Sequence, residues 1–504
     1  SKADQKGETI TYTHDMASRL TTRSYLTLGN DTFTYDKASR LLTAVSARYQ
    51  NTATFTYDQA GRTATESLTT FNQTYTLNRT YNARNELTQI TYPDGAIVNR
   101  DFDQVPGDGR GLLQRLRYNG VMQATFSYDD GGRETSRTFA AGNNITTTRS
   151  YAPRLDNLPV SIAASNGDGA LGFAYQYDVN KNPVSETTAG VFAGYSWTIP
   201  GVGGYDAENR LSNWQRTSGF FQNWNLSLVG DWNSYNNNGT PEVRTHDAVH
   251  ALQTINTQPV AHDLKGNMLK DRVGLNNNRY AYDYDNQLGS TDTNDNGSPD
   301  IYYTYDALGR RVSKTFVVTN STITTLGAAA GGGGTSGGGG IGSTGLRPVE
   351  GRTGVSPVTN GNVSSLLTDF ADEDSMEIWD ALFAEEDTDT APVDNQLAAS
   401  AIGIPPGPTT TYTYNTTIYL RTGWQCITEY NGTGTSTTIQ PPTPAFITGD
   451  LPANPLRKYI FASYIDEPVV LLTKRDPNGF IVPTERLYYY HTNRMYFVTA
   501  LSDS

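Results

Sequence analysis

The sequence predicts an all-β protein, an array of short antiparallel strands. Three observations carry that reading. Aromatic residues make up 11% of the chain, with 32 Tyr against 17 Phe and 6 Trp, and together with abundant Thr and Asn they suit a pleated, half-exposed surface. An aromatic-Thr-Tyr-Asp motif, followed four residues after the Asp by Arg, recurs along the chain. The single cysteine, Cys426, has no partner within the chain, so apolar burial and backbone pairing must hold the fold.

The repeat is the strongest of the three signals, because a unit at constant spacing implies an array. Phe33-Thr34-Tyr35-Asp36 leads to Arg40, Phe55-Thr56-Tyr57-Asp58 to Arg62, Phe126-Ser127-Tyr128-Asp129 to Arg133, and Tyr303-Thr304-Tyr305-Asp306 to Arg310. The same offset joins Asp15 to Arg19 and Asp206 to Arg210, with weaker copies at Tyr81-Asn82, Tyr177-Asp178, His262-Asp263 and Tyr284-Asp285.

Each part of the unit has a physical reading. Alternation puts the aromatics of a strand on one face. Asp before small residues marks a turn whose carboxylate caps backbone donors. The Arg then opens a return strand. Such a hairpin, of about 22 residues by the spacing of its copies, is too small to bury its own apolar face, so units must stack. The tyrosines are expected to pack against their equivalents in neighbouring units, and strands are expected to run about 4 to 8 residues.

These units, with Gly423-Trp424-Gln425, Tyr464-Ile465-Asp466-Glu467-Pro468 and Tyr488-Tyr489-Tyr490-His491, resemble the rearrangement-hotspot (Rhs), or YD-repeat, family. The resemblance implies a sheet coiled into a spiral, a shell or a tube segment, secreted or at the cell surface, which in many members encloses a toxic C-terminal domain and in others is adhesive. The family's terminal core region, whose aspartates release the toxin in some members, has no counterpart here, and Asp476-Pro477-Asn478-Gly479 reads as a turn. No protease residue is carried over.

The organisation expected is a repeat array over 1–326, a Gly-rich tether over 327–347, an acidic insert over 348–408, and further repeat-like strands over 409–504. The net charge of -13 is concentrated in that insert: from Thr353 to Leu420 there is no Lys or Arg. The remaining body is near neutral and has no basic stripe, which argues against a nucleic-acid partner. Within the insert, Phe370, Met376, Trp379, Leu382 and Phe383 fall near helical spacing over Asp369 to Glu386, a candidate partner-docking helix. A helix packed on the chain's own sheet, or an acidic stretch without fixed structure, has the same pattern. No stretch is long and apolar enough for a membrane helix.

Asp292, Asn294, Asn296 and Asp300 place side-chain oxygens around Gly297 as hard-cation loops do, so calcium is the one candidate cofactor. A hairpin turn calls for the same residues without metal. His246 and His250 have no Glu or Cys at zinc spacing, while His14 and His262 stand where other units carry Tyr. Cys426 reads as a small buried residue. Asn-x-Ser/Thr sequons such as Asn72 and Asn431 are frequent in a chain rich in both residues.

The functional expectation is a non-enzymatic secreted scaffold. Its partners would be a continuation of the same polypeptide or other copies of itself, covering strand edges near Thr9-Tyr12 and Leu487-Leu501, with an enclosed toxin domain in the shell case. Two alternatives stand beside it: a carbohydrate-binding surface of exposed Tyr and Trp, and a hydrolase with a carboxylate pair distant along the chain.

Overall fold

In the computed structural model the described residues are 2–503 except 4–6, 27–28, 104–108, 140–144, 153–157, 166–169, 191, 202, 274–276, 323–362, 366–408, 424, 463–467, 476–480 and 493–497. Among them the protein is all-β, without a helix. A sheet of 24 strands runs from Lys2–Ala3 to Gln258–Pro259, and one of 14 strands from Ala261–His262 to Val498–Asp503. Through the first sheet each strand pairs antiparallel with the next in sequence, an uninterrupted meander. The sheets meet where Val273 N–H donates to Pro259 O at 2.8 Å.

The repeat unit is a hairpin with a fixed irregularity. The outgoing strands Gly29–Tyr35, Asn51–Tyr57, Val121–Tyr128 and Ile301–Tyr305 each shift register on reaching the Tyr. In the Asp36 unit, Asp36 N–H then donates to Arg40 O at 2.9 Å, and Ser39 N–H to Asp36 O at 3.1 Å. The third residue after the Asp has positive φ, +64° at Ser39 and +83° at Gly61. Glycine occupies this left-handed position at little cost, which explains the Gly of the motif.

One face of the hairpins carries threonine pairs such as Thr34–Thr43 at 2.6 Å and Thr56–Thr65 at 2.7 Å. The other carries Phe33, Ala44 and Ala53, all buried. Contacts between distant parts of the chain show how the units stack. Before the insert they join residues 234 to 284 apart, as from Tyr49 to Asp283 and from Arg23 to Ala307. After it they join residues 340 to 378 apart, as from Lys458 to Tyr118 and from Gly449 to Phe71, the wider interval including the span between strands Arg311–Thr322 and Thr409–Thr422. The sheet therefore coils as a spiral whose second turn rests on its first, and Leu77, Val98, Leu116 and Phe139 of the first share one core with Ile418, Tyr430, Val470 and Tyr489 of the second.

The strands flanking the insert pair directly, Ser313 to Ile418 through Thr322 to Thr409, so one sheet contains both. Three expectations change. Those strands have 12 and 14 residues, longer than expected. The weak copy at Tyr284-Asp285 is displaced by two residues: Asp283 N–H bonds Gln287 O and Asn286 N–H bonds Asp283 O, so the turn belongs to Tyr282-Asp283. Ile481–Thr492 is paired on both sides and is not an open edge, while Thr9–His14 pairs along its length with Leu20–Tyr25 and with Lys2–Ala3 only at Thr9 and Ile10. The helix expected over Asp369 to Glu386, with Phe370, Met376, Trp379, Leu382 and Phe383, lies outside the described residues, as do Trp424 and the Asp476 turn.

Candidate functional site

The repeat aspartate, arginine and tyrosine form a clasp that links one hairpin to the next. Asp58 Oδ1 accepts from Arg62 N–H at 2.9 Å and Oδ2 from Arg62 Nε at 2.7 Å. Arg62 reaches onward, donating to Asn82 O at 2.7 Å and lying over the Tyr81 ring at 4.7 Å. Tyr81 returns the link, its hydroxyl donating to Thr63 O at 3.0 Å. The pattern repeats. Tyr35 donates to Leu20 O, Tyr57 to Leu41 O, Tyr128 to Leu113 O and Tyr305 to Leu288 O, at 2.6 to 2.9 Å. Arg19 covers Tyr35, Arg40 covers Tyr57 and Arg133 covers Tyr151 at 4.6 to 5.0 Å. The rings of Tyr35, Tyr57, Tyr81 and Tyr151 thus meet the preceding unit's guanidinium, where a neighbouring tyrosine was expected; a positive charge over a ring face is favourable.

These contacts set the charge state of the clasp. The Arg40 and Arg62 backbone N–H groups, followed by the guanidiniums, hold Asp36 and Asp58 below the usual carboxylate range; for Asp15 and Asp129 the Arg19 and Arg133 guanidiniums come first. Asp306 and Arg310 close the last such clasp at 2.7 Å, and Arg310 also grips Glu66 on the other turn at 2.6 Å.

Between the turns lie polar groups that no local motif reveals. Arg48 pairs with Asp283 at 3.1 Å and Asp285 at 3.0 Å. Lys458, almost wholly buried, joins Asp94 at 2.6 Å and Glu485 at 3.0 Å. Glu429 accepts from Arg457 at 2.9 Å and Tyr459 at 2.8 Å. His491 is buried against Phe139, and burial, then Arg137, push its pKa down to about 4.

A different surface appears at strands Phe221–Leu226 and Trp232–Asn237, whose residues are half-buried or exposed. Trp224 stacks on Tyr235 at 5.5 Å and meets Trp232 edge-on at 5.9 Å. Trp214 Nε1 donates to Gln222 at 2.8 Å.

At the candidate calcium loop the oxygens face backbone. Asp292 Oδ2 accepts from Gly297 N–H at 2.7 Å, Asn296 Oδ1 from Ser298 N–H at 2.8 Å, and Asp300 Oδ2 from Thr293 N–H at 2.8 Å. Asn294 Oδ1 accepts from Asn296 N–H at 3.2 Å. Such bonds stabilise a tight turn. Cys426 is fully buried. His14 and His262 stand at the register shift that tyrosines occupy elsewhere.

No protein-family model and no curated protein matches the chain. Solved structures do. The crystal structure of TcdB2-TccC3-TEV matches with a TM-score of 0.55 at 12% identity, over 96% of this chain and 22% of that one. TcdB2-TccC3 matches at 0.54 and 12%, over 96% and 23%, and TcdB2-TccC3-Cdc42 at 0.53 and 12%, over 98% and 24%. This chain spans under a quarter of the length of those it matches. Its fold is the one seen in those TcdB2-TccC3 structures, consistent with the YD-repeat pattern of its sequence.

Proposed function

We propose that the protein is a non-enzymatic segment of a secreted or cell-surface β-shell, whose coiled wall encloses or carries another polypeptide. The observation that carries this reading is the stacking of one sheet turn on the next through a shared core and buried ion pairs. A wall that supports itself in this way suits containment, and the likeness to TcdB2-TccC3 structures supports it at the level of fold. Its partners would be further coils of sheet, from the same polypeptide or other copies, and an enclosed toxin domain. The Gly-rich span 327–347 would serve as a tether, and Phe370, Met376, Trp379, Leu382 and Phe383 would dock a partner. The test is electron cryomicroscopy of the protein. A hollow coil with density inside supports the reading, and a solid particle or an extended fibre contradicts it.

A second reading draws on the Trp224, Trp232 and Tyr235 rings and the amides beside them, a combination that suits sugar stacking. Glycan-array binding lost on Trp232→Ala would favour it.

A further inference from the structure

Where the Tyr25 strand meets the Asp283–Gln287 turn, a cluster of ionisable groups joins the two coils of the spiral. From the first coil come Arg23 and Tyr25, with Asp31 on the neighbouring strand and Arg48 and Tyr49 on the turn beyond. From the second come Asp283 and Asp285. Arg23 binds Asp31 at 2.6 Å and stands 3.9 Å from Asp285; Arg48 binds Asp283 and Asp285; Tyr49 donates to Asp283 at 2.8 Å. Around this group lie Tyr284 against Tyr25, Tyr305 against Tyr49 with Arg311 acting on its hydroxyl, and the ion pair Lys265–Glu8 beside Tyr284.

Two counts disagree with a fully ionised cluster. The first is charge: three carboxylates face two guanidiniums, leaving one negative charge in a site where Asp31 is fully buried and Asp283 nearly so. An uncompensated buried charge is costly. The second is protons. Tyr25 Oη lies 2.9 Å from Asp31 Oδ2 and 2.5 Å from Asp285 Oδ2, yet a phenol has one proton to donate. Two carboxylate oxygens at hydrogen-bond distance need a second.

The odd residue is identifiable. In the tandem Tyr282-Asp283-Tyr284-Asp285, the turn uses Asp283, and Gln287 stands where an Arg completes other units. Arg48 from the other coil takes that role. Asp285, which no turn requires, supplies the extra charge.

We propose that this seam is a proton-operated clasp between successive coils: with three carboxylates against two guanidiniums, the cluster takes up one proton beyond the phenol's own, tightens on mild acidification and loosens as pH rises. Burial, the first cause, raises the Asp283 carboxyl above its ordinary range, which acts in the same sense. A carboxyl raised in the folded state adds stability that is present below the unfolded value of about 4 and is lost as pH rises through the folded one. The clasp does not depend on what the shell encloses.

Hydrogen exchange of the full chain at pH 5.5 and 8.0, corrected for intrinsic exchange rates, tests it. Protection of peptides covering 20–35 and 279–292, relative to the strand 170–177 away from the seam, is expected to fall about tenfold at the higher pH, the ratio that one unit of differential proton affinity gives. D285N leaves two carboxylates for two guanidiniums, and should reduce the pH dependence while keeping protection at pH 8.0 at or above wild type. Equal relative protection of the wild type at both pH values overturns the proposal, as does D285N protection that falls with pH as wild type does. The wild-type comparison stands by itself if D285N does not fold.

Discussion

The hydroxyl of Tyr57 donates to the carbonyl of Leu41 at 2.7 Å while its ring lies 4.6 Å beneath the guanidinium of Arg40. Both contacts cross from one hairpin to the one before it. A repeat tyrosine therefore couples units, and its loss should weaken the array and not one turn. Tyr57→Phe keeps the ring and leaves a carbonyl without its donor, for an expected loss of about 1 kcal/mol. Tyr57→Ala removes the ring as well, and about 3 kcal/mol is expected. Urea unfolding of the two variants checks the order; equal, negligible losses would place the tyrosine outside the load path.

The left-handed turn position makes a separate prediction. At Gly61, φ is +83° and a Cβ would come 3.3 Å from Arg40 Nη1. Gly61→Ala is expected to cost about 1–2 kcal/mol. Gly61→Asn should cost less, since Asn85, Asn209 and Asn286 hold the same turn position at φ of 61° to 66°.

Acid should act on the clasps and on His491 in the same direction. Asp15, Asp36, Asp58 and Asp129 are held below their ordinary range, so their contribution is present above the unfolded value near 4 and is lost as pH falls through the lower folded values. His491, near 4 when folded, favours the neutral ring, so its contribution starts to fall below the unfolded value of about 6.5 and continues to fall toward pH 4. His491→Phe should flatten the decline in melting temperature between pH 6.5 and 4 and leave the steeper loss below pH 4 in place.

The calcium question reduces to one comparison. With the oxygens of Asp292 and Asp300 engaged by backbone N–H groups, the turn closes on itself, and melting temperatures with calcium and with a chelator should agree. Asp300→Ala should lower both by loosening Thr293. A shift on chelation that Asp300→Ala abolishes would assign the cation.

What was legible in the sequence was local. Tyr57, Asp58 and Arg62 lie within six residues, so spacing alone exposes the turn, its carboxylate cap and the return strand. The partner of the ring was not legible, because Arg40 sits in the previous unit and its reach depends on the register shift between Thr56 and Tyr57. Arg48 with Asp283, or Lys458 with Asp94, join residues more than 230 apart, and only coiling brings them together. One signal did exist: Gln287 stands at the turn position that Arg40, Arg62 and Arg310 hold in other units, and a missing cation asks for another. Its copy was misplaced by two residues because Tyr282-Asp283-Tyr284-Asp285 offers two equal matches and neither has the Arg to choose between them.

The coiling itself is tested most directly by a covalent distance across the two turns. The Asn72 amide donates to Pro444 O at 2.9 Å, in an exposed contact between residues 372 apart. With Cys426 buried, Asn72→Cys and Pro444→Cys can be joined selectively by a short bifunctional maleimide. The account predicts rapid cross-linking within single chains of the double variant, and none when Asn72→Cys is combined with Asn238→Cys, which the sheet places elsewhere on the first turn. Failure of the 72–444 pair to link within one chain, under conditions where each cysteine reacts, would contradict the stacking of the second turn on the first.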